Sequence, residues 1–433
     1  MTIEVGKEQL IVQGIRPEEE LWGAYQFPRP FRLADGRIAV AVHVTADDIK
    51  SFGSENRWFV SSDNGESWSE ADPSIDSKCG MLLDNGDLLY FPPESGFSLS
   101  QYRETPFAYR TPGYDMSRRA EEGVLPIPDG VTTWWDKITI KAYLSERLPS
   151  SLDKPVWLAK RTPAGSDKAV EEYVNVDWPC LTRVVFNGKD FDNILKPIFP
   201  RGPLKKGPDG ALWMATYSGE GHVNPANRQY SPYYSAELFR STDNGHNWYL
   251  HSHMEYPADG DRYPYLSGGF SDSDFEFMPD GSMVWFFRSA WYGSTGCEWA
   301  PMYISHSHDM GKSWSKPEEF SFTGILPRVC RLDCGTSIVC YARPGIFVQA
   351  TLDDTGYNWS DPVTVMTPGN RSHLANIIAE PPTFHDWDGA CNNPQLLILD
   401  DRTVMLFYSD FYYPDAGNIK RKSILCRKIK VNL

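Results

Sequence analysis

The sequence lacks long hydrophobic runs, has little cysteine and is short of positive charge. Nowhere do about 18 apolar residues follow one another, so we expect no membrane-spanning helix and no membrane partner. Eight cysteines in 433 residues are too few for a disulfide scaffold, and we expect buried, reduced thiols. The 57 acidic side chains outnumber the 42 basic ones, and the net charge of -15 repels nucleic-acid phosphates. We therefore expect no nucleic-acid partner.

Two further absences bear on location and metal binding. The first eight residues contain no basic stretch followed by an apolar one, as a secretory signal would, so we expect a cytoplasmic protein. Cys330, Cys334 and Cys340 form a C-x3-C-x5-C cluster without a nearby histidine, which does not match a zinc site. We predict neither a metal nor a cofactor.

Aromatic residues, in contrast, are abundant. The chain has 15 Trp, 22 Tyr and 22 Phe among 34 Gly and 33 Pro, and this mixture is typical of many short strands joined by turns. Hydrophobic residues make up 41% of the chain, which is enough for a packed core. The composition therefore favours a globular β protein.

One pattern, S-x-D-x-G-x-x-W, recurs along the chain. Clean copies lie at 61–68, 241–248 and 307–314, and a fourth copy at 351–359 has one extra residue before its glycine. In this pattern we expect the aspartate to bond backbone two residues on, the glycine to take a positive φ, and the tryptophan to pack back on the hairpin. The pattern predicts a structural turn.

A second series of turns marks six hairpins, and each turn precedes a predicted strand. The turns are Asp35-Gly36, Asn85-Gly86, Asp209-Gly210, Asp280-Gly281, Cys334-Gly335 and Asp400-Asp401. The strands after them are predicted at 37–44, 87–91, 211–217, 282–288, 336–343 and 403–408. Since no single hairpin unit can bury both faces of its sheet, the repeats predict an all-β, six-bladed β-propeller of four-stranded antiparallel blades.

The predicted propeller is a single domain over 1–433. Gln9–Gln13 is expected to close the ring against the last strands. The long gap between Gly86 and Gly210 predicts an inserted loop region at about 95–180, in the second and third blade region. Two interpretations of this insertion remain open: a cover over the mouth of the propeller, or an outer strand pair with a decorative loop.

The repeated turns on six hairpins resemble the sialidase (neuraminidase) superfamily, where the pattern is known as the Asp box or BNR repeat. The box supports the fold better than an activity, because non-catalytic propellers and lyases carry it too. The resemblance implies a hydrolase, specifically a glycosidase of carbohydrate metabolism.

Four arginines resemble those with which sialidases clamp a substrate carboxylate. Arg29, just ahead of the first hairpin, resembles the first arginine of the family's triad, and Arg201 lies in a similar segment. Arg288 and Arg343, at the ends of predicted strands, resemble the other two. A guanidinium fork binds a carboxylate bidentately, which a lysine cannot do. An ordinary salt bridge is the alternative for each.

The catalytic residues of the family are matched only in part. Asp272 matches an acidic residue that precedes Arg288 by one hairpin. Asn393 stands where sialidases have their tyrosine nucleophile, and an amide cannot form the covalent intermediate, so we do not expect a true sialidase. Tyr408 follows the last hairpin, at the position of a different family residue.

The first predicted blade departs from the family as well. His43 stands where sialidases have an acidic residue, and its imidazole can take or give a proton near neutral pH. Certain uronate lyases and rhamnosidases are similar in this respect, while a buried structural histidine is the alternative. Asp47 or Asp48 follows, as the acid/base aspartate of the family does.

We therefore expect a glycoside hydrolase that acts on an acidic oligosaccharide, sialic acid-like or uronate. Asp47 or Asp48 would be the acid/base, assisted by His43 or Asp272, with Tyr408 as a further catalytic candidate. The expected substrate-binding residues are Arg29, Arg201, Arg288, Arg343, Tyr217 and Asn393. Two alternatives remain: a lyase in which His43 abstracts the proton next to a uronate carboxylate, and a non-catalytic glycan-binding propeller.

Overall fold

The computed structural model describes most of the chain. The described residues are 1–14, 24–45, 56–94, 97–98, 138–144, 156–178, 182–188, 191–195, 200, 202–217, 222–223, 230–231, 234–257, 267–290, 301–322, 324–342, 345–367 and 393–433. Of these, 97–98, 138–144, 182–188, 191–195, 222–223, 230–231, 267–268, 290 and 412 are described for the backbone alone.

The described part of the chain is nearly all β. The strands up to the middle of the chain are β1 Thr2–Val5, β2 Gln9–Gln13, β3 Gln26–Arg32, β4 Ile38–His43, β5 Asn56–Ser61, β6 Ser69–Ala71, β7 Met81–Leu82, β8 Leu88–Tyr90, β9 Phe97–Ser98, β10 Ile138–Leu144, β11 Val156–Thr162, β12 Val170–Asp177, β13 Thr182–Gly188 and β14 Phe191–Leu195. A short 3-10 helix, Pro73–Lys78, lies between β6 and β7.

The remaining strands complete the chain. They are β15 Leu204–Lys206, β16 Leu212–Tyr217, β17 His222–Val223, β18 Tyr230–Ser231, β19 Ala236–Ser241, β20 Asn247–Met254, β21 Ser267–Phe277, β22 Met283–Ala290, β23 Met302–Ser307, β24 Glu318–Ser321, β25 Ile325–Arg331, β26 Ser337–Ala342, β27 Ile346–Ala350, β28 Val363–Met366, β29 Gln395–Ile398, β30 Thr403–Pro414 and β31 Lys420–Asn432. Within the described residues, no helix has the length and apolar character to cross a membrane.

Consecutive strands pair into four-stranded antiparallel sets. β3 to β6, β21 to β24 and β25 to β28 each form one such sheet in chain order. β29, β30 and β31 form another with β1, while β2 also pairs with β31, which confirms the predicted closure by the N-terminal segment. Smaller sheets are built from β9, β10, β13 and β14 and from β17 and β18.

The second and third sets are joined into one sheet of eight strands. One half is β7, β8, β11 and β12, the other is β15, β16, β19 and β20, and parallel pairing of β12 with β20 connects them. β11 and β12 fall inside the range 95–180, which the sequence assigned to an inserted loop. β11 pairs with β8 and with β12, so these two strands complete the first half as an outer strand pair, which is one of the two interpretations of the insertion.

Successive sheets pack face to face and share apolar cores. In β4, Ile38 and Val40 pack against Met405 and Phe407 of the last sheet, while Ala41 of the opposite face packs near Ile75. Both faces of β4 are covered, which explains why every residue of this strand is buried. Because the last sheet packs back on the first, the succession of sheets is closed. The predicted second strands of all six hairpins are confirmed, with β22 and β30 running further than predicted.

The S-x-D-x-G-x-x-W segments form the predicted turns. In the first, Asp63 Oδ1 accepts the Ser67 amide at 2.9 Å and Ser61 Oγ accepts the Gly65 amide at 2.7 Å. In this copy the aspartate thus accepts from the backbone four residues on, not two, because the Ser61 hydroxyl already accepts the glycine amide. In the fourth copy, Asp353 Oδ1 accepts the Thr355 amide two residues on at 3.0 Å, as predicted. The glycine has a φ of 85°, as expected. The tryptophans pack between sheets, and Trp248, fully buried, contacts the ring of Trp157.

The described cysteines are all free thiols: Cys79, Cys330, Cys334, Cys340 and Cys426. Burial raises the pKa of Cys426 to about 12, so this thiol is neutral at physiological pH. Across the described ranges, no group of three or more His, Cys, Asp or Glu side chains is placed to hold a metal ion.

Candidate functional site

The sheets have two distinct ends, and several of the described predicted site residues lie at one of them. The hairpin glycines and the S-x-D-x-G-x-x-W turns lie at one end. At the other, which we call the site end, the second strand of a sheet finishes and the third begins. Here His43 pairs with Asn56, Tyr217 with Ala236, and Arg288 with Met302.

Three predicted residues occupy one equivalent position at the site end. His43, Tyr217 and Arg288 each follow their hairpin glycine, Gly36, Gly210 and Gly281, by about seven residues. Since side chains alternate along a strand, equal spacing from the turn gives them the same orientation in their own sheets. These three side chains therefore lie at the same distance from the turn, each in its own sheet.

The first strands carry a repeated backbone irregularity at this end. Non-glycine residues have positive φ: 51° at Phe27, 39° at Asp272, 46° at Leu326 and 32° at Asn393. In β3, β21 and β25 the strand register shifts around these residues. A positive φ outside glycine stores strain, and such residues cluster at functional sites. Asp272 and Asn393, predicted from different motifs, thus share one structural position.

Asp272 and Arg288 are brought together. Arg288 Nη1 donates to Asp272 Oδ2 at 2.5 Å, and the Arg288 side chain is fully buried. The bulge around Asp272 places its carboxylate next to the arginine of the neighbouring strand, because Ser271 is the residue that pairs with Arg288. The salt bridge that was the alternative for Arg288 is therefore present, and it fixes the guanidinium in place.

Arg29 has an unused donor. Its Nη2 donates to Asn56 Oδ1 at 3.0 Å, whereas its buried Nη1 has no acceptor among the described residues. Burial lowers the pKa of Arg29, which the nearby Tyr90 and Asp76 partly oppose, but an arginine stays charged at any physiological pH. An unpaired buried cationic donor is costly, and an anionic ligand would supply the missing acceptor.

His43 lies on the same face of its sheet as Arg29. Arg29 pairs with Ala41, and Ala41 lies two residues before His43 in β4, where His43 pairs with Asn56. Because paired residues, and residues two apart in one strand, point to the same face, Arg29 and His43 share one face of the sheet. The His43 ring is buried, with Nε2 3.2 Å from Thr45 Oγ1. The structure therefore groups a titratable imidazole and a guanidinium.

The other described candidates have different surroundings. Tyr217 contacts the ring of Tyr234 edge-on at 5.4 Å, and Asn393 is fully buried. Tyr408 donates its hydroxyl proton to Glu8 Oε2 at 2.6 Å and accepts from Arg427 Nε at 3.0 Å. Burial raises the pKa of Tyr408, and its contacts are with the N-terminal segment and β31.

Four predicted residues lie outside the described residues: Asp47, Asp48, Arg201 and Arg343. Nothing in the structure bears on their roles, so these remain predictions.

Sequence reasoning missed Arg328. Arg328 pairs with Cys340 as Arg29 pairs with Ala41, and both arginines precede their hairpin glycine by about seven residues. Arg328 Nε donates to Gln395 Oε1 at 3.0 Å, and its side chain is buried. The equal spacing of the two arginines from their turns was the signal that could have found it.

A buried cluster around Lys205 was missed as well. Lys205 Nζ lies 3.1 Å from both Asp274 Oδ1 and Glu276 Oε2, and it donates to the Val329 carbonyl at 2.7 Å. Asp274 Oδ2 in turn accepts the Val329 amide at 2.9 Å. The Lys205 ammonium thus connects β15, β21 and β25, the first strands of three successive sets. Its partner Asp274 lies two residues after Asp272 in the sequence. No local pattern marks this lysine, because its partners are distant in sequence.

A third missed residue is Glu237 in β19. This side chain is fully buried, with Ser235 Oγ donating to Oε1 at 3.3 Å, and its Oε2 has no partner within the described part of the chain. Burial raises the pKa of Glu237 well above its usual value, which the Ser235 hydroxyl opposes only in part. The carboxyl therefore keeps its proton to a higher pH than an exposed glutamate does, and a protonated carboxyl can donate a hydrogen bond.

Comparisons with known proteins give a fold and no family. No family model matches the sequence, and no curated protein matches it. The structure is similar to that of a protein of unknown function from Dyadobacter fermentans, with a TM-score of 0.59 and 15% identity over 99% of each chain. At this identity the similarity shows a shared fold and nothing about activity.

Two enzymes are among the weaker structural matches. The NanB sialidase from Streptococcus pneumoniae has a TM-score of 0.45 and 12% identity, covering 98% of this chain and 70% of the sialidase. The alpha-L-arabinanase of Penicillium chrysogenum has a TM-score of 0.45 and 13% identity, covering 97% of this chain and 98% of the arabinanase. With TM-scores below 0.5, these two similarities do not bear on the activity of this chain.

Proposed function

We propose that this chain is a six-bladed β-propeller that hydrolyses glycosides of a carboxylate-bearing sugar, sialic acid-like or uronate. The four-stranded antiparallel sets and their closed succession support the propeller, with the eight-stranded sheet counted as two blades. The site would lie at the site end, where the predicted residues of the first and second strands meet.

One observation carries the proposal: Arg29 Nη1 is buried without an acceptor at the site end. A guanidinium held by Asn56 on one side, with its second nitrogen unused, is suited to one oxygen of a carboxylate. Arg288 and Arg328 add two more buried guanidinium groups on neighbouring positions of other sheets. Arg201 and Arg343 belong to the proposed clamp on sequence grounds alone.

The reaction assigns separate roles to the acidic groups. Asp47 or Asp48 is the acid/base, and Asp272, held by Arg288, stabilises the positive charge that develops on the sugar ring. Tyr217 and Asn393 contact the sugar. The proposal also includes a cytoplasmic location and no metal or cofactor, so a chelator should leave the rate unchanged.

The test is a panel of acidic oligosaccharides, each paired with its carboxyl-reduced form. The wild type should release reducing sugar from acidic members and act poorly on reduced ones. Arg29→Met should lower kcat/KM on acidic members roughly 10- to 100-fold, which corresponds to one charged hydrogen bond. Arg32→Met is the matched control, since Arg32 lies on the same strand and donates to the carbonyl oxygens of Ile398 and Gly36. Unchanged activity in the Arg29 variant would refute the carboxylate clamp.

A lyase is the second candidate, favoured by the shared face of His43 and Arg29. A neutral imidazole there could abstract the proton next to a uronate carboxylate while the guanidinium stabilises the resulting negative charge. Lyase products contain an unsaturated uronate that absorbs ultraviolet light, whereas hydrolysis yields reducing sugar without this absorbance. Binding without any product would identify a glycan-binding propeller instead.

A further inference from the structure

Glu237 occupies a position beside the candidate site. It is the second residue of β19, which begins at the site end, and it pairs with Thr216, the neighbour of Tyr217. The side chain projects from the face of the sheet that also carries Met214 and Phe239. An acidic group therefore lies at the site end, in the strand next to that of Tyr217 and on the opposite face of the sheet from the Tyr217 side chain.

The surroundings of Glu237 leave part of its carboxyl unused. The Ser235 hydroxyl donates only to Oε1, while Oε2 is buried with no partner among the described residues. A buried polar atom without a partner costs free energy, about 1–3 kcal/mol for a typical group. Such a cost is commonly offset by a ligand that completes the hydrogen bond.

Two ionisable groups face Glu237 from β20 and the residue after it. His253 pairs directly with Glu237, with Nδ1 3.8 Å from Oε1, and Glu255 Oε1 lies 3.5 Å from His253 Nε2. β16 presents Thr216 to this face, and the same core contains Val176 of β12 and Trp178, the residue after that strand. The three ionisable groups run from the partly exposed Glu255 to the fully buried Glu237.

We propose that Glu237 is a ligand-binding residue whose protonated carboxyl donates a hydrogen bond through Oε2 to an uncharged oxygen of the bound sugar. This inference rests on the proposed function, which it extends from the acid group of the sugar to its hydroxyl or ring oxygens. Glu237 takes no part in the cleavage itself. Because only the neutral carboxyl can donate, binding requires its proton and weakens as the pH rises through the pKa of Glu237.

The experiment measures the dissociation constant by calorimetry from about pH 5 to about pH 9, for acidic sugars and their carboxyl-reduced forms. Glu237→Gln keeps a donor and has no proton to lose. It should bind each form with the affinity that the wild type shows at low pH, and this affinity should not weaken as the pH rises. Glu237→Leu lacks the donor and should bind about three- to tenfold more weakly at low pH. Glu255→Gln, the same change at the exposed end of the row, is the matched control and should keep the wild-type profile.

The outcomes separate this inference from the proposed function. Loss of preference for the acidic over the reduced sugars, with the Glu237 effects intact, would reject the carboxylate clamp alone. Wild-type affinity in Glu237→Leu, or an unchanged pH profile in Glu237→Gln, would overturn the role of Glu237. If Glu237→Leu does not fold, the pH profile of Glu237→Gln decides, and absence of binding to every sugar by the wild type would overturn both proposals.

Discussion

Replacing Glu237 with glutamine should remove a pH dependence from the stability of the fold. In the folded protein, burial raises the pKa of Glu237 well above its ordinary value of 4.5, so the carboxyl stays protonated. In the unfolded chain it ionises near the ordinary value. Above that value the unfolded state holds fewer protons than the folded one, so the free energy of unfolding falls as the pH rises.

The size of this effect follows from linkage. One proton's difference changes the free energy of unfolding by about 1.4 kcal/mol per pH unit, for as long as the folded carboxyl remains neutral. Glutamine has nearly the same shape and carries no titrating proton, so the variant should gain stability relative to the wild type at this slope, from the pH at which the unfolded carboxyl ionises up to the pH at which the folded carboxyl ionises.

Urea unfolding at several pH values measures this difference directly, because the free energy falls linearly with denaturant. Glu319→Gln, an exposed change of the same kind, is the control and should shift the curve equally at every pH. If the curves for Glu237→Gln and the wild type ran parallel with pH, the carboxyl would be ionised in the fold, and the reasoning would be refuted.

Three further predictions concern the described core and turns. Lys205→Met should destabilise the fold by about 3–5 kcal/mol in urea unfolding, because Asp274 and Glu276 would be left buried without their cation; adding Asp274→Asn and Glu276→Gln should recover much of the loss, and failure to do so would contradict the ion-pair account. Trp248→Ala should cost about 3–5 kcal/mol, since the indole is fully buried between sheets, and a cost below about 1 kcal/mol would contradict that packing. The Ser67 and Ser61 hydrogen bonds lower the pKa of Asp63 to about 2, so its stabilising effect should be complete above the ordinary pKa of 3.8 and be lost as the pH falls from there to about 2; an NMR titration midpoint near 3.8 would contradict the turn geometry.

The parts of the fold that the sequence predicted well are those set by local chemistry. The glycine of each hairpin turn adopts a positive φ, such as 86° at Gly36 and 88° at Gly281, and a strand follows at once. Because both faces of these second strands are covered, they read as unbroken apolar runs like that of Ile38–His43. Turn residues and apolar runs are visible in sequence, so strand positions and the closure by Gln9–Gln13 followed.

The missed parts depend on partners that are distant along the chain. The outer strand pair β11 and β12 stayed one of two interpretations of the insertion, because nothing local shows that Val156–Thr162 pairs with β8 across the long gap. The bulges at Phe27 and Leu326 involve ordinary apolar residues, which carry no signal for a positive φ. Lys205 and Glu237 look like surface residues in the sequence, and only packing in three dimensions shows that they are buried.

The repeat explains how one position can carry different chemistry from sheet to sheet. Phe27, Asp272, Leu326 and Asn393 share a positive φ in or just before the first strand of their sheets, and a register shift accompanies the first three. Of these four residues only Asp272 bears a charge, and it is held by the arginine of its own sheet. Because the backbone of this position repeats, the side chain alone distinguishes a packing residue from a functional one. Asn393 holds the same strained position with an amide that cannot act as a nucleophile, so the proposed hydrolysis would depend on Asp272 and on carboxylates elsewhere in the chain. Among these four described positions Asp272 alone carries a charge, which is why the proposal gives the reacting role to Asp272 and not to Asn393.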